Sequence, residues 1–322
     1  MGLNNIKSRN VLVTGGTGFI GSHLVENLLS EKCNIIVPYQ SLNPKSYFFS
    51  QNLDKKIILV HKDIKNYKRT FDVVTKYEID FIFHLAAQSI VPTASHNPLE
   101  TLETNFMGTA NVLEAARLYG NVQGIIVASS DKAYGKIPRA SEKNPLSGDH
   151  PYETSKAAAD LLVGTYFKTY GLPTVVVRFG NVYGEGDINF SRIVPASLAA
   201  IVNNRALQIR SDGKYIRDYV YIKDIVEALI TIVKNISRIK GEAFNVSSNE
   251  NLSVIETVKL ISKILNSKII YKILNRAVNE IPVQSINFNK IRKVLGWKPK
   301  ENLSSTIPAI YDWYKKYFQD KS

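Results

Sequence analysis

The sequence predicts an α/β protein: a doubly wound parallel sheet with a smaller C-terminal α/β lobe. Three observations carry this reading. Short apolar, strand-like runs alternate with helical patterns from Val11 to Arg178, the signature of a parallel sheet covered on both faces. A glycine-rich turn stands between the first strand and the first helix. After Asn181 the alternation becomes irregular, and 322 residues are more than one core usually fills, so two closely packed lobes are expected.

The predicted strands, in order, are Val11–Thr14, Asn34–Val37, Ile57–Val60, Phe81–Leu85, Gly124–Ala128 and Thr174–Arg178. Between the first two, Ile20, Leu24, Val25, Leu28 and Leu29 recur at helical spacing. Further helices are expected over Pro98–Leu118 and Pro151–Tyr170, the latter with Pro151 in its first turn and Gly171 just past its end. Later helices are predicted over Ile193–Val202, Ile222–Val233, Val254–Leu265 and Ser304–Tyr317, and strands over Ala243–Val246 and Ile269–Tyr271. The chain is expected to cross between lobes more than once, and it has no internal repeat.

Composition narrows the function classes. No apolar run reaches the ~20 residues of a membrane-spanning helix, and MGLNNIKSRN lacks the apolar core of a signal peptide. Cys33 is the only cysteine, which excludes an intramolecular disulfide and fits a reducing cytoplasm. The five histidines show no ligand spacing, so no metal site is expected. The formal charge of +13 comes from lysines spread between Lys7 and Lys321 without a dense block. That pattern fits a solvated surface that attracts anionic nucleotides better than a nucleic-acid footprint.

The turn after the first strand reads TGGTGFIG. Gly15, Gly18 and Gly21 let the backbone turn sharply and approach a pyrophosphate, which Thr17, Phe19 and Ile20 would flank at the helix N-terminus. No acid follows the second strand until Asp54. Gln40, Ser41 or Asn43 would then bond the ribose hydroxyls of NAD, or Ser41 and Lys45 would receive the 2′-phosphate of NADP. Asp63 and Ile64, after the third strand, are candidates to hold adenine; a solvated turn or helix cap is the other reading of Asp63. Tyr152 and Lys156 lie four apart on a predicted helix and so share a face. An ammonium nearby would lower the phenol's pKa and make Tyr152 a base for a hydroxyl proton. Asp131–Lys132, after a strand-like run ending in Ser129–Ser130, places an acid beside a candidate base.

Taken with HLAAQ, NFMGT, SSDKAYG, PYETSK, RFGNVYGEGD, GKYIRDYVYIKDI and LGWKP, these motifs span nearly the whole chain. The chain resembles the extended short-chain dehydrogenase/reductases, the nucleotide-sugar epimerase and dehydratase group. That resemblance implies a Rossmann lobe for NAD(P) over 1–181 plus about 213–240, and a nucleotide-sugar lobe over about 182–212 plus 241–322. It also implies a homodimer through a four-helix bundle. By motif, Ser130 bonds the reacting sugar oxygen, Tyr152 is the redox base, and Lys156 bonds the nicotinamide ribose. Leu85, Ala86 and Ala87 line the cofactor, and Gln88 faces the sugar. Asn181, Arg192 and Arg217 bind the substrate, with Asn181 and Arg217 on its phosphates.

Within this group the two residues after the active-site serine or threonine sort the chemistry. Epimerases resemble S-A-A-V-Y-G there, thymidine-type 4,6-dehydratases T-D-E-V-Y-G, and cytidine-type 4,6-dehydratases S-D-K-C-Y. Ser130–Asp131–Lys132 is similar to the last, which implies a CDP-glucose 4,6-dehydratase in which Lys132 removes the C5 proton and Asp131 protonates the leaving C6 hydroxyl. Tyr134–Gly135 and Arg217–Asp218–Tyr219 are closer to the epimerases, so a nucleotide-sugar 4-epimerase is the rival reading, and a non-catalytic dinucleotide sensor or nucleic-acid-binding relative is the rival from another class.

Overall fold

The computed structural model describes residues 6–276 and 281–319. Its main sheet has seven parallel strands in the order β10-β6-β5-β4-β1-β2-β3. They are β1 (Asn10–Thr14), β2 (Asn34–Tyr39), β3 (Ile58–His61), β4 (Phe81–His84), β5 (Gly124–Ser130), β6 (Thr174–Phe179) and β10 (Ala243–Val246). Period-two alternation sends neighbouring side chains to opposite faces. Val11, Val13, Phe81 and Phe83 pack in one core with Leu24, Val25 and Leu28 of the Phe19–Ser30 helix and with Ile225, Leu229 and Ile232 of the Ile222–Lys234 helix. Leu12 and Ile82 pack in the other, with Val73 and Val74 of the Tyr67–Lys76 helix and Val112, Leu113 and Ala116 of the Gly108–Tyr119 helix. A sheet buried on both faces explains why its strands read as nearly continuous apolar runs. This is the Rossmann architecture, and the chain reverses direction between β1 and β4, where such sheets bind ligands outside the carboxyl ends of their strands.

The smaller lobe is built on β9 (Ile216–Tyr221), which pairs with β7 (Asn181–Tyr183), β11 (Asn251–Ser253) and β13 (Val283–Gln284). A separate pair joins β8 (Leu207–Ile209) to β12 (Tyr271–Ile273). The Ile193–Val202, Val254–Ile264 and Leu303–Gln319 helices pack together beside them.

Four expectations need correction. Ala243–Val246, assigned from sequence to the second lobe, is the edge strand of the main sheet, because buried Phe244 pairs in register with Val177. Of the segment about 213–240 given to the first lobe, Ile216–Tyr221 forms the centre of the small sheet instead, and Ile222–Lys234 packs on the Phe19–Ser30 helix. The strand expected at Ile269–Tyr271 lies two residues later, set by the register of Tyr271 opposite Leu207. The helix expected over Pro98–Leu118 is interrupted by a wider π-type turn at Glu103–Met107, where Asn105 is turned into the protein. Such turns concentrate at functional sites.

Two buried histidines tie the layers together. His84 Nδ1 bonds Thr14 Oγ1 at 2.8 Å and its Nε2 bonds Thr109 Oγ1 at 2.9 Å, linking β4 to β1 and to the helix above. His23 Nε2 meets the Glu185 carbonyl at 2.8 Å and its ring stacks on Tyr47 at 4.0 Å. Burial holds His23 down to about 4 against a partial upward pull from Glu185, and burial with the Lys156 charge holds His84 down to about 3. A depressed folded-state pKa means that the unfolded chain takes the proton first, so stability is lost as pH falls from about 6.5 through 4. Between pH 7 and pH 5 the urea-unfolding free energy is expected to drop by about 2 kcal/mol on account of His23 alone. His23→Gln should remove that part of the slope, and an unchanged slope would show that His23 titrates normally.

Candidate active site

The glycine turn is dictated by sterics. Gly15 has φ +71°, and a Cβ there would lie 2.7 Å from the Ala86 backbone nitrogen. A Cβ on Gly21 would lie 2.1 Å from the Gly15 carbonyl. The turn therefore packs directly on the Leu85–Ala87 segment after β4, with Ala86 N donating to Thr14 Oγ1 at 3.3 Å. Thr17 is half-buried and Gly18 exposed, and the helix starts at Phe19–Ile20, so its first-turn N–H groups face the crevice between β1 and β4. At the far end, Ser41 is exposed beyond β2, and Ile64 is buried against Gly108. Asp63 Oδ1 accepts the Lys65 N–H at 2.9 Å, so it closes its own turn, as the local reading of this residue expects.

The carboxyl end of β5 and the first turns of the Pro151–Tyr170 helix assemble the candidate reactive groups. Ser130, Asp131, Tyr152 and Lys156 are all buried. Ser130 shares a hydrogen bond with the Tyr152 phenol and donates to Asp131 Oδ1 at 2.8 Å. The other Asp131 oxygen accepts Gln284 Nε2 from β13 at 3.2 Å. Lys132 is half-buried; its N–H donates to Ser130 Oγ at 3.2 Å, and its charge bears on His150, the residue that caps the Tyr152 helix. Asn181 donates through N and Nδ2 to Asp218 Oδ1 at 3.3 and 3.2 Å. Asp218 also accepts Ser247 Oγ and the Ile286 N–H, and burial together with the Asp131 charge pushes its carboxyl up to about 6. Arg192 pairs with Asp187 at 3.2 Å, and its charge reaches Tyr152. Arg217 Nη1 donates to the Ile216 and Ile281 carbonyls at 2.8 and 2.9 Å, and Arg217 stands opposite Gln284. Contacts or charge thus connect Ser130, Asp131, Tyr152, Asn181 and Arg192 around one cleft, whereas Ser41 and Asp63 lie apart from it.

Comparison with known proteins identifies the family. The family model "GDP-mannose 4,6 dehydratase" matches residues 12–310. The chain belongs to this family of extended short-chain dehydrogenase/reductase enzymes. A CDP-paratose 2-epimerase of Salmonella typhi is 31% identical, with 94% of this chain and 98% of that one covered. The dTDP-glucose 4,6-dehydratase 1 of Escherichia coli K12 is 30% identical over 94% and 92%. The solved dTDP-glucose 4,6-dehydratase of Bacillus anthracis in complex with NAD superposes with a TM-score of 0.82 at 28% identity, covering 96% of this chain and 97% of that one.

Two details depart from the family-based expectations. Burial pushes the Tyr152 phenol up to about 12, and the neighbouring Asp131 charge pushes the same way. Ser130 and Arg192 pull it down, whereas Lys156 turns its ammonium to the Ala128 carbonyl at 3.0 Å. Burial lowers Lys156 itself to about 8, opposed by Asp160. Gln88, expected to face the sugar, folds its amide back on Ile90, accepting its N–H at 2.7 Å and donating to its carbonyl at 3.2 Å.

Sequence reasoning missed three positions in this dehydratase-family site. Asn105 bonds both the N–H and the carbonyl of Gln88, and Ser155 Oγ one turn above Tyr152. Its signal in the sequence is NFMGT, which marks the family without showing where the asparagine points. Gln284 and Asp218 reach Asp131 from 153 and 87 residues away, and no local pattern announces such contacts. Gly21→Ala is expected to lower the urea midpoint by an amount equivalent to 1–3 kcal/mol, roughly the cost of forcing a methyl group into a packed turn. An unshifted midpoint would mean that the turn yields.

Proposed function

We propose that the chain is a nucleotide-sugar 4,6-dehydratase that uses NAD and converts an NDP-hexose, with CDP-glucose favoured, to the NDP-4-keto-6-deoxyhexose. The observation that carries the reading is the carboxyl group of Asp131 beside Ser130 and the Tyr152 phenol, with Lys132 next in the chain. A 4-epimerase needs the phenol but no second proton-transfer pair. The S-D-K run supports the cytidine substrate, and the named relatives include both CDP- and dTDP-sugar enzymes.

The residues present suit the cofactor. The Gly15–Gly21 turn is a cradle that a Cβ would fill, and Ser129 Oγ at the end of β5 is buried without a hydrogen-bond partner among the described residues. The Gly15–Gly21 turn would hold NAD, which would supply the hydride acceptor for C4 and the hydride donor for C6. Tyr152 takes the C4 hydroxyl proton, and Ser130 holds the oxygen that becomes the ketone. The ketone acidifies the C5 hydrogen, which Lys132 removes in its neutral form. Asp131 protonates the C6 hydroxyl as it departs as water, and the Lys132 ammonium gives its proton back to C5 when hydride reaches C6. Arg217, Arg192 and Asn181 supply donors for the diphosphate, a task suited to guanidinium geometry.

Incubation with CDP-, dTDP-, UDP- and GDP-glucose, followed by the alkaline absorbance of 4-keto-6-deoxy product, tests this reading. Product is expected first from CDP-glucose; an epimerised NDP-hexose with no 4-keto-6-deoxy product would identify a 4-epimerase instead. Lys132→Ala should keep the fold and retained dinucleotide but lose product by about a hundredfold or more. Unchanged product formation would sink the assignment of Lys132.

The homodimer belongs to the same proposal. Leu99 is 66% exposed, Met107 48%, Leu118 51% and Leu161 63%, all on two neighbouring helical segments, Pro98 to Tyr119 and Pro151–Tyr170. Large apolar side chains clustered on adjacent helices favour a partner of the same kind, and two copies would make four helices. Leu161→Glu should shift the sedimentation of the protein from dimer to monomer; a wild-type chain that sediments as a monomer would remove this part of the proposal.

A further inference from the structure

Beneath the cleft runs a buried polar chain that the chemistry above does not use. Asp160 stands one turn after Lys156 on the same helix. Arg178 of β6 grips it with two parallel bonds, Nε to Oδ2 and Nη2 to Oδ1, both at 2.8 Å. The remaining guanidinium nitrogen, Nη1, donates to the Tyr134 hydroxyl at 2.6 Å, and the guanidinium lies 4.8 Å from the centre of the Tyr134 ring. Tyr134 in turn donates to Asn245 Oδ1 at 2.7 Å. Tyr134 also closes the turn that carries the proton-transfer pair, since its N–H bonds the Asp131 carbonyl at 3.1 Å. Every member is buried.

Burying such a charge pair costs desolvation that well-packed apolar residues would avoid, so stability alone is a weak reason to have it. Its geometry supplies another. One end is fixed to the helix of Tyr152 and Lys156, the other to the turn of Asp131 and Lys132, and the rigid, planar Arg178 spans them. We propose that Tyr134, Arg178 and Asp160 form a positioning strut that holds the Asp131–Lys132 turn in register with the Tyr152–Lys156 helix, so that elimination at C5 and C6 keeps pace with oxidation at C4. The inference rests on the dehydratase reading above. None of the three touches the substrate; they act through the residues they hold.

Tyr134→Phe removes one hydroxyl and keeps the ring in place. In single turnovers of the NAD-loaded protein with its NDP-hexose, oxidation at C4, read as the rise of reduced nicotinamide, should stay within about threefold of wild type. Formation of 4-keto-6-deoxy product should fall by about tenfold or more, the scale expected when reacting groups are slightly misplaced, and reduced nicotinamide should accumulate with the 4-keto-hexose. The urea midpoint of Tyr134→Phe, measured on the same preparation, guards against a variant that folds poorly: a midpoint close to wild type together with retained oxidation at C4 assigns the product loss to position and not to folding. Equal losses in both steps, or no loss in either, would overturn the strut while leaving the dehydratase reading intact. Wild-type protein that releases only an epimerised sugar would overturn the dehydratase reading, and the strut with it.

Discussion

The bidentate pair of Arg178 and Asp160 is the interaction on which the geometry of the cleft depends. It joins β6, next to the edge strand of the main sheet, to the helix that carries Tyr152 and Lys156, and through Tyr134 it meets the end of β5. Strand register makes this possible. Arg178 stands opposite Ser129 on one side and Asn245 on the other, so one guanidinium lies between the serine run and the edge strand. Leaving either member of a buried pair alone strands a charge in a dry interior, at a cost of about 3–5 kcal/mol. The pair therefore acts as a fixed point rather than a reservoir of stability.

Around that fixed point burial works against the charged forms of Tyr152 and Lys156. The phenol of Tyr152 is pushed up to about 12 by burial and Asp131, and Lys156 is drawn down to about 8 by burial. Both shifts have burial as their first cause, which works against the charged form of each group. A base held neutral in a dry cleft needs an added positive charge or a strong hydrogen bond before it can act. Lys156 does not supply that charge while its ammonium is spent on the Ala128 carbonyl. Arg192, whose charge does reach the phenol, stands at the start of the Ile193–Val202 helix of the second lobe, so the field at Tyr152 is drawn from both lobes.

Much of this was legible in the sequence. The parallel strands appeared as apolar runs because they are buried on both faces, and the Pro151–Tyr170 helix was bounded by its own punctuation at Pro151 and Gly171. Gly15 and Gly21 were readable because only glycine fits where a Cβ would strike backbone. What failed was of another kind. Ala243–Val246 has the same apolar look in either lobe, and only its partner β6 decides where it belongs. The π-type turn at Glu103–Met107 leaves the apolar pattern nearly unchanged, yet it sets the direction of Asn105. Gln88 looked like a sugar ligand by motif, but its amide satisfies a nearer backbone first. Local rules found the elements and the reactive types; long-range pairing decided which neighbours they have.

Asp131 owes its chemistry to such long-range pairing. Its two oxygens are held from separate places, one by Ser130 beside it and one by Gln284 on β13 of the small sheet. Asp218, the charge that bears on it, lies on β9, paired in that same sheet with the strand carrying Gln284. The contact that holds Asp131 from outside its own turn therefore comes from the second lobe, whereas Tyr152 and Lys156 stand on a helix of the first. In the proposed reaction the acid of the elimination step is thus held across the two lobes, whereas the phenol of the oxidation step stands on a helix of one.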